Sequence, residues 1–147
     1  MKTIRNLAKI DFIGRTEAAF GISVAIVLDL LILLWNNFSF GEKEWNLLLL
    51  DALAFFLVAQ ISGTFAARAI LVHDWSSGFV GICAAWITLL ATTIAHCFLY
   101  GSVFEKSIVS ETGNICVLVF LFGFIPSGIH GIWFGYRIYK RGQKLEP

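Results

Sequence analysis

Residues 114–140, NICVLVFLFGFIPSGIHGIWFGYRIYK, are the stretch on which the fold turns. Gly123, Ser127, Gly131 and Gly135 recur in it at four-residue intervals. Residues i and i+4 share one helix face, so four minimal side chains in line make a shallow groove where another helix backbone can come close. The ladder drifts by about 120° around an ideal helix, which suits a partner crossing at an angle. Gly128, Gly131 and Gly135 make a straighter seam, as in a left-handed bundle. The segment is therefore expected to serve two neighbours, one helix of its own bundle and one from outside. Pro126, the expected kink, and His130 sit where those faces meet.

Composition places this segment in a membrane. The chain has 147 residues, enough for one domain spanning 1–147, and is 58% hydrophobic and 14% charged. A soluble domain is nearer half apolar and a quarter charged, so the surface of this chain could not stay wet. A net charge of +1 argues against a nucleic-acid footprint. Cys83, Cys97 and Cys116 form no CxxC pair and read as small core residues.

Four stretches reach the roughly 20 apolar residues that a span needs. They are 17–37, 46–71, 77–101 and 114–138. Short links imply antiparallel neighbours, so the expected fold is an all-α, integral-membrane, antiparallel four-helix bundle. The longest link, 102–113, carries Glu105, Lys106 and Glu111. Ahead of the first span, Lys2, Arg5 and Lys9 alternate with Ile4, Leu7 and Ile10, the pattern of a short amphipathic helix on the membrane surface. Gly14 is expected to end that helix, and Thr16 to cap the next.

Basic residues orient the bundle. Lys2, Arg5, Lys9, Arg15, Arg68, Arg137, Lys140, Arg141 and Lys144 fall on one side, and only Lys43 and Lys106 on the other. The positive-inside rule puts both termini in the cytoplasm, and the expected location is a bacterial inner (plasma) membrane. Trp35, Phe38, Trp45, Tyr100 and Phe104 would line the outer interface, and Phe12, Trp75, Trp133, Tyr136 and Tyr139 the inner one. An Asn37-Phe38-Ser39 sequon lies too close to the membrane to carry weight.

Asp29, Asp51, Gln60, His96 and His130 are the polar candidates inside the spans. A charge near mid-bilayer costs roughly 2.5–3.5 kcal/mol on insertion scales, so each should face the bundle, water or a partner. Gly21, Ala25 and Asp29 form a stripe, which points Asp29 at a neighbouring helix, either as a proton or cation contact or as a buried pair. Ala84, Thr88, Thr92 and His96 form another. Asp51 and His96 share a depth of about 11–12 Å outward of the midplane, so a pair joining two adjacent helices is expected. Ala59, Gly63 and Ala67 make a packing stripe beside Gln60, which should bond between helices. Arg68 should snorkel to the headgroups. His96 and His130 differ in depth by roughly 17 Å, too much to ligate one haem, and no cofactor or metal is expected.

There is no HExxH, GxSxG or P-loop pattern. The first expectation is a non-enzymatic membrane subunit, adaptor, anchor or sensor acting through helix contacts. Its partners would be the bilayer, further copies of itself or a larger membrane complex. A second is an oligomeric ion or proton channel, or small transporter, using Asp29, Gln60 and His130. A third is an immunity or exclusion protein that blocks another membrane protein.

Overall fold

The structure, a computed structural model, describes residues 7–35, 41–104 and 108–144, without the side chains of 28–30, 32–35, 103–104 and 108–122. Four helices follow one another: α1 (Leu7–Trp35), α2 (Glu42–Leu71), α3 (Ser77–Phe104) and α4 (Ile108–Gln143). No strand occurs among the described residues. Successive helices run antiparallel, as the residue pairs between them show. Asp11 meets Arg68 while Arg15 meets Thr64. Asp51 meets His96 while Ser62 meets Thr88. Gly81 meets Gly131 while the Trp86 indole reaches the Phe124 carbonyl. In each case one residue number rises as the other falls.

Two of the helices, Glu42–Leu71 and Ser77–Ser102, are long and apolar enough to cross a membrane, each with a mean hydropathy of 1.9. Their large side chains face outward. On α2, Leu53, Leu57, Ile61 and Phe65 recur every four residues and are 59–67% exposed. Ala59, Gly63, Ala66 and Ala67 are buried on the other side. A water-soluble helix has the opposite arrangement.

Small residues face inward because the helices touch through their backbones. A methyl group built on Gly63 would lie 2.6 Å from the Gly14 carbonyl oxygen, and one on Gly131 would lie 2.5 Å from that of Gly81. These two crossings tie α1 to α2 and α3 to α4. Gly135 packs on the Ser77 carbonyl one turn further along. Around the crossings lie Ile10, Ile13, Ala18, Ile22, Ile70, Val80, Ala84, Phe134 and Ile138. This core fills the half of the bundle where α1 begins and α4 finishes.

Several boundaries differ from the sequence expectation. Gly14 does not end a helix, and among the described residues no separate amphipathic helix precedes α1. α1 runs through Gly14, and Ile10 and Ile13 are buried in the core rather than lying on a surface. Thr16 sits inside the helix, donating its hydroxyl to the Phe12 carbonyl at 2.7 Å, and caps nothing. The glycine is there for the close approach to Gly63, not for a turn. The 102–113 link is also shorter than expected, because α3 continues to Phe104 and α4 starts at Ile108. Extending an existing helix costs no new nucleus, so the helices outrun the apolar stretch. α4 continues through Pro126 without interruption.

The α2–α3 turn is built from backbone bonds. Val72 and His73 donate to the Arg68 carbonyl, at 2.9 and 3.3 Å, and Trp75 donates to that of Ala69, at 3.1 Å. Asp74 takes the left-handed conformation at φ 53°, which a short polar side chain tolerates better than most. The expectations for Lys2, Arg5, the 37–39 sequon, Phe38, Glu105 and Lys106 lie outside the described residues. So do the side chains of Asp29, Trp35, Phe104, Glu111 and Cys116.

The crossings give a direct prediction. Gly81→Ala and Gly131→Ala should each destabilise the bundle by about 1–3 kcal/mol, as overpacking does. Gly78→Ala, where an added methyl meets nothing within 4 Å, should leave stability unchanged or raise it by less than about 1 kcal/mol. Thermal unfolding followed by circular dichroism in a mild detergent measures the difference.

Candidate functional site

All four helices border a central cavity of about 300 Å³. Its walls are Ala18, Gly21 and Ala25 of α1, Ala59 and Gly63 of α2, Ala84 of α3, and the α4 turn Pro126–His130 among others. The space exists because small residues meet there from several directions. Large ones (Ile22, Phe55, Leu89 and Phe134) close its sides. Its polar groups are few. Thr88 Oγ1 lies 3.0 Å from Ser62 Oγ and 2.8 Å from the Ala84 carbonyl. Ser127 donates to the Phe124 carbonyl at 3.0 Å. Val24, Pro126 and His130 border the cavity and are also exposed, so it opens sideways between α1 and α4.

His130 stands at that opening. Its Nε2 would be 2.9 Å from a methyl group on Gly21, so the imidazole fills the space that the glycine leaves. The Trp133 ring lies 5.4 Å away. Among the described residues His130 has no hydrogen-bond partner. It is the cavity's one imidazole and its strongest polar group.

Below the opening, toward the start of α1, lies a cluster the sequence reading missed. Glu17 is 1% exposed. Arg137 Nε donates to its Oε2 at 2.5 Å, and Arg141 Nε approaches its Oε1 at 2.5 Å. The Arg137 guanidinium also lies over the Phe20 ring at 4.6 Å and the Trp133 ring at 4.9 Å. Such cation–π contacts contribute roughly 0.5–2 kcal/mol. The signal was in the sequence. Arg137 and Arg141 are four apart on one face of the last helix, and an up-down bundle puts the end of α4 level with the start of α1.

The expected polar residues fall in three places. Asp51 and His96 come together, with Nδ1 and Oδ2 2.7 Å apart, joining α2 to α3. The other Asp51 oxygen is buried without a hydrogen-bond partner among the described residues. Gln60 donates to the Arg15 carbonyl at 3.1 Å and so bonds α2 to α1. It does not line the cavity with His130. Asp29 lies outside the described side chains. Arg68 grips Asp11 through two bonds of 2.7 Å. That fork holds the Asp11 carboxyl below its ordinary pKa, chiefly by hydrogen bonding.

The α4 ladder is largely occupied within the chain. Gly131 and Gly135 are covered by α3, and a methyl group built on Gly128 would lie 3.5 Å from the Trp86 indole nitrogen. Trp86 in turn stacks on Phe124 with ring centroids 4.0 Å apart. Ser127 faces the cavity and Gly123 is half-buried. The seam expected for an outside helix at Gly131 and Gly135 is therefore filled by Ser77, Gly81 and Ile82. Among the described residues no cluster of three or more histidine, cysteine or carboxylate side chains could hold a metal ion.

Glu17→Gln tests the weight of the charge cluster. Removing one partner of a buried ion pair costs about 3–5 kcal/mol. Here the arginines are 30% and 44% exposed, so water screens part of the loss and roughly 1–3 kcal/mol is expected. Glu17→Gln should lower the melting temperature of the detergent-solubilised protein, and Lys43→Gln, on the far end of the bundle, should not. Comparison with known protein families, characterised proteins and solved structures finds no match for this chain, so its function is argued from the site alone.

Proposed function

We propose that the chain is a four-span membrane protein, with both ends on the cytoplasmic side of a bacterial inner membrane. In this reading it works as a non-enzymatic subunit or sensor through the α1–α4 gap. The supporting observation is the inverted side-chain distribution. Leucine, isoleucine and phenylalanine cover the outside. Glycine, alanine and a charged Glu17–Arg137–Arg141 cluster share the inside with five isoleucines, Val80 and Phe134. Lipid gives apolar side chains no reason to be buried, so helices in a bilayer pack through small residues and polar contacts instead. The imbalance of basic residues, nine against two, supports the orientation.

The gap suits a binding role. α1 and α4 meet less extensively than α1 with α2 or α3 with α4, and they meet through the charge cluster and the Gly21–His130 contact. A helix or apolar group entering between them would meet the cavity wall and one imidazole. His96 bonds to one Asp51 oxygen and Gln60 to the Arg15 carbonyl, joining adjacent helices, which favours structural roles for these residues over transport. The oligomeric channel reading with Asp29, Gln60 and His130 is less favoured, because Gln60 bonds to the α1 backbone and does not border the cavity with His130. The immunity or exclusion reading is a special case of partner binding at the gap.

Cysteine accessibility tests the spanning reading. In a chain with the native cysteines replaced by alanine, Gly41→Cys should react with an impermeant maleimide in intact cells. His73→Cys should react only after lysis. Reaction of both from the same side would overturn the topology. Native purification tests the subunit reading. An assembly heavier than one 16.4 kDa chain and its detergent is expected, and a lone chain in every preparation would contradict it.

A further inference from the structure

A groove of about 530 Å³ lies between the first turns of α1 and the end of α4. It is lined by Ala8, Lys9, Phe12, Ile13, Arg141 and Lys144. Three of these six residues are cations and none is an anion. Arg141 spends its Nε on Glu17, and among the described residues no carboxylate engages its Nη atoms. Glu17 is already shared with Arg137, so it does not neutralise the groove. Lys9 and Lys144 have no ion pair among the described residues. Phe12 beside them is 68% exposed.

We propose that this groove holds one anionic glycerophospholipid, its phosphate among Lys9, Arg141 and Lys144 and its glycerol and upper acyl segments along Phe12 and Ala8. This rests on the membrane-spanning reading above, which places the groove at the inner headgroup layer. Charge complementarity selects an anion, since three cations line the groove, no carboxylate is among its lining residues and Arg141 alone of the three is ion-paired among the described residues. The exposed phenylalanine selects a lipid over free phosphate: an inorganic ion would use the cations and leave Phe12 uncovered, whereas a lipid offers charge and apolar surface side by side. Basic pockets between helices on the cytoplasmic side of a membrane bind acidic headgroups in this way.

The groove also explains why Arg141 belongs to two sites. Through Nε it helps hold α1 to α4, and through its remaining donors it faces the lipid. A bound phosphate would therefore sit on the same side chain that closes the gap.

The test uses the full chain in detergent micelles doped with dioleoyl phosphatidylglycerol or dioleoyl phosphatidylcholine, read by native mass spectrometry. Each basic residue near an anionic membrane surface contributes about a five-fold preference. One phosphatidylglycerol should therefore be retained at least about ten-fold over phosphatidylcholine, and the preference should shrink as salt rises. The doubly substituted Lys9→Gln, Lys144→Gln chain should lose most of it while melting as the parent does. Both lysines are exposed, and neither is ion-paired to Glu17 among the described residues. The wild-type comparison stands without any variant.

Equal retention of the two lipids overturns the proposal, as does an unchanged preference in the lysine variant. Displacement by excess inorganic phosphate would assign the cations to a free anion, and displacement by a polyglutamate peptide would assign them to an acidic protein segment. Either result also overturns it. Failure of the membrane reading is separately visible, because the chain would then leave the membrane pellet in alkaline carbonate.

Discussion

A carboxylate with almost no exposed surface holds the two ends of this chain together. Glu17 is at the third turn of α1, and its partners Arg137 and Arg141 are on the last turns of α4. Those helices make few other contacts. A buried charge is tolerated only when it is paired and hydrogen-bonded, so Glu17 cannot move away from both arginines. Phe20 and Trp133 flank the Arg137 guanidinium and keep it over their rings. The bundle is thus closed at one end by ionic and aromatic contacts. Away from that cluster, at the level of His130, it opens sideways.

The other joints are of a different kind. α1 and α2, and α3 and α4, meet where glycine faces glycine and no side chain intervenes. Close backbone approach maximises dispersion contacts between the helices. The same small residues that permit it leave the bundle short of volume in the middle. The cavity is the consequence, lined by alanines and glycines that serve the crossings above and below it. Structure and candidate site therefore share a cause. The residues that let helices touch also leave room for something else between them.

Much of this was legible in the sequence, and the parts that were not share a reason. Helix count, order and antiparallel sense follow from four apolar stretches and short links. The Asp51–His96 pair was accessible because both residues fall at one depth on helices adjacent in sequence. Glu17 was missed because its partners lie 120 and 124 positions away, and only the closed bundle brings first and last helices level. Gly14 was misread as a breaker, since local propensity says nothing of the Gly63 carbonyl waiting on α2. The Gly131–Gly135 ladder was correctly seen as a contact face. Its filling by Gly81 and Ser77 could not be chosen over an outside helix without knowing how α3 lies. Depth is written in the sequence, but which face meets which neighbour is settled by packing.

α1 and α4 are clamped at one end and gapped above the clamp. A double-mutant cycle measures the clamp most directly. Glu17→Gln, Arg137→Gln and the double substitution would be compared by reversible unfolding of the protein in lipid nanodiscs. Residues in direct contact within one ionic network couple by about 0.5–3 kcal/mol. The account predicts a coupling of at least about 1 kcal/mol, with the double variant less destabilised than the sum of the single ones. Costs that simply add would mean Glu17 and Arg137 do not meet in the folded protein, and would contradict the arrangement of α1 against α4.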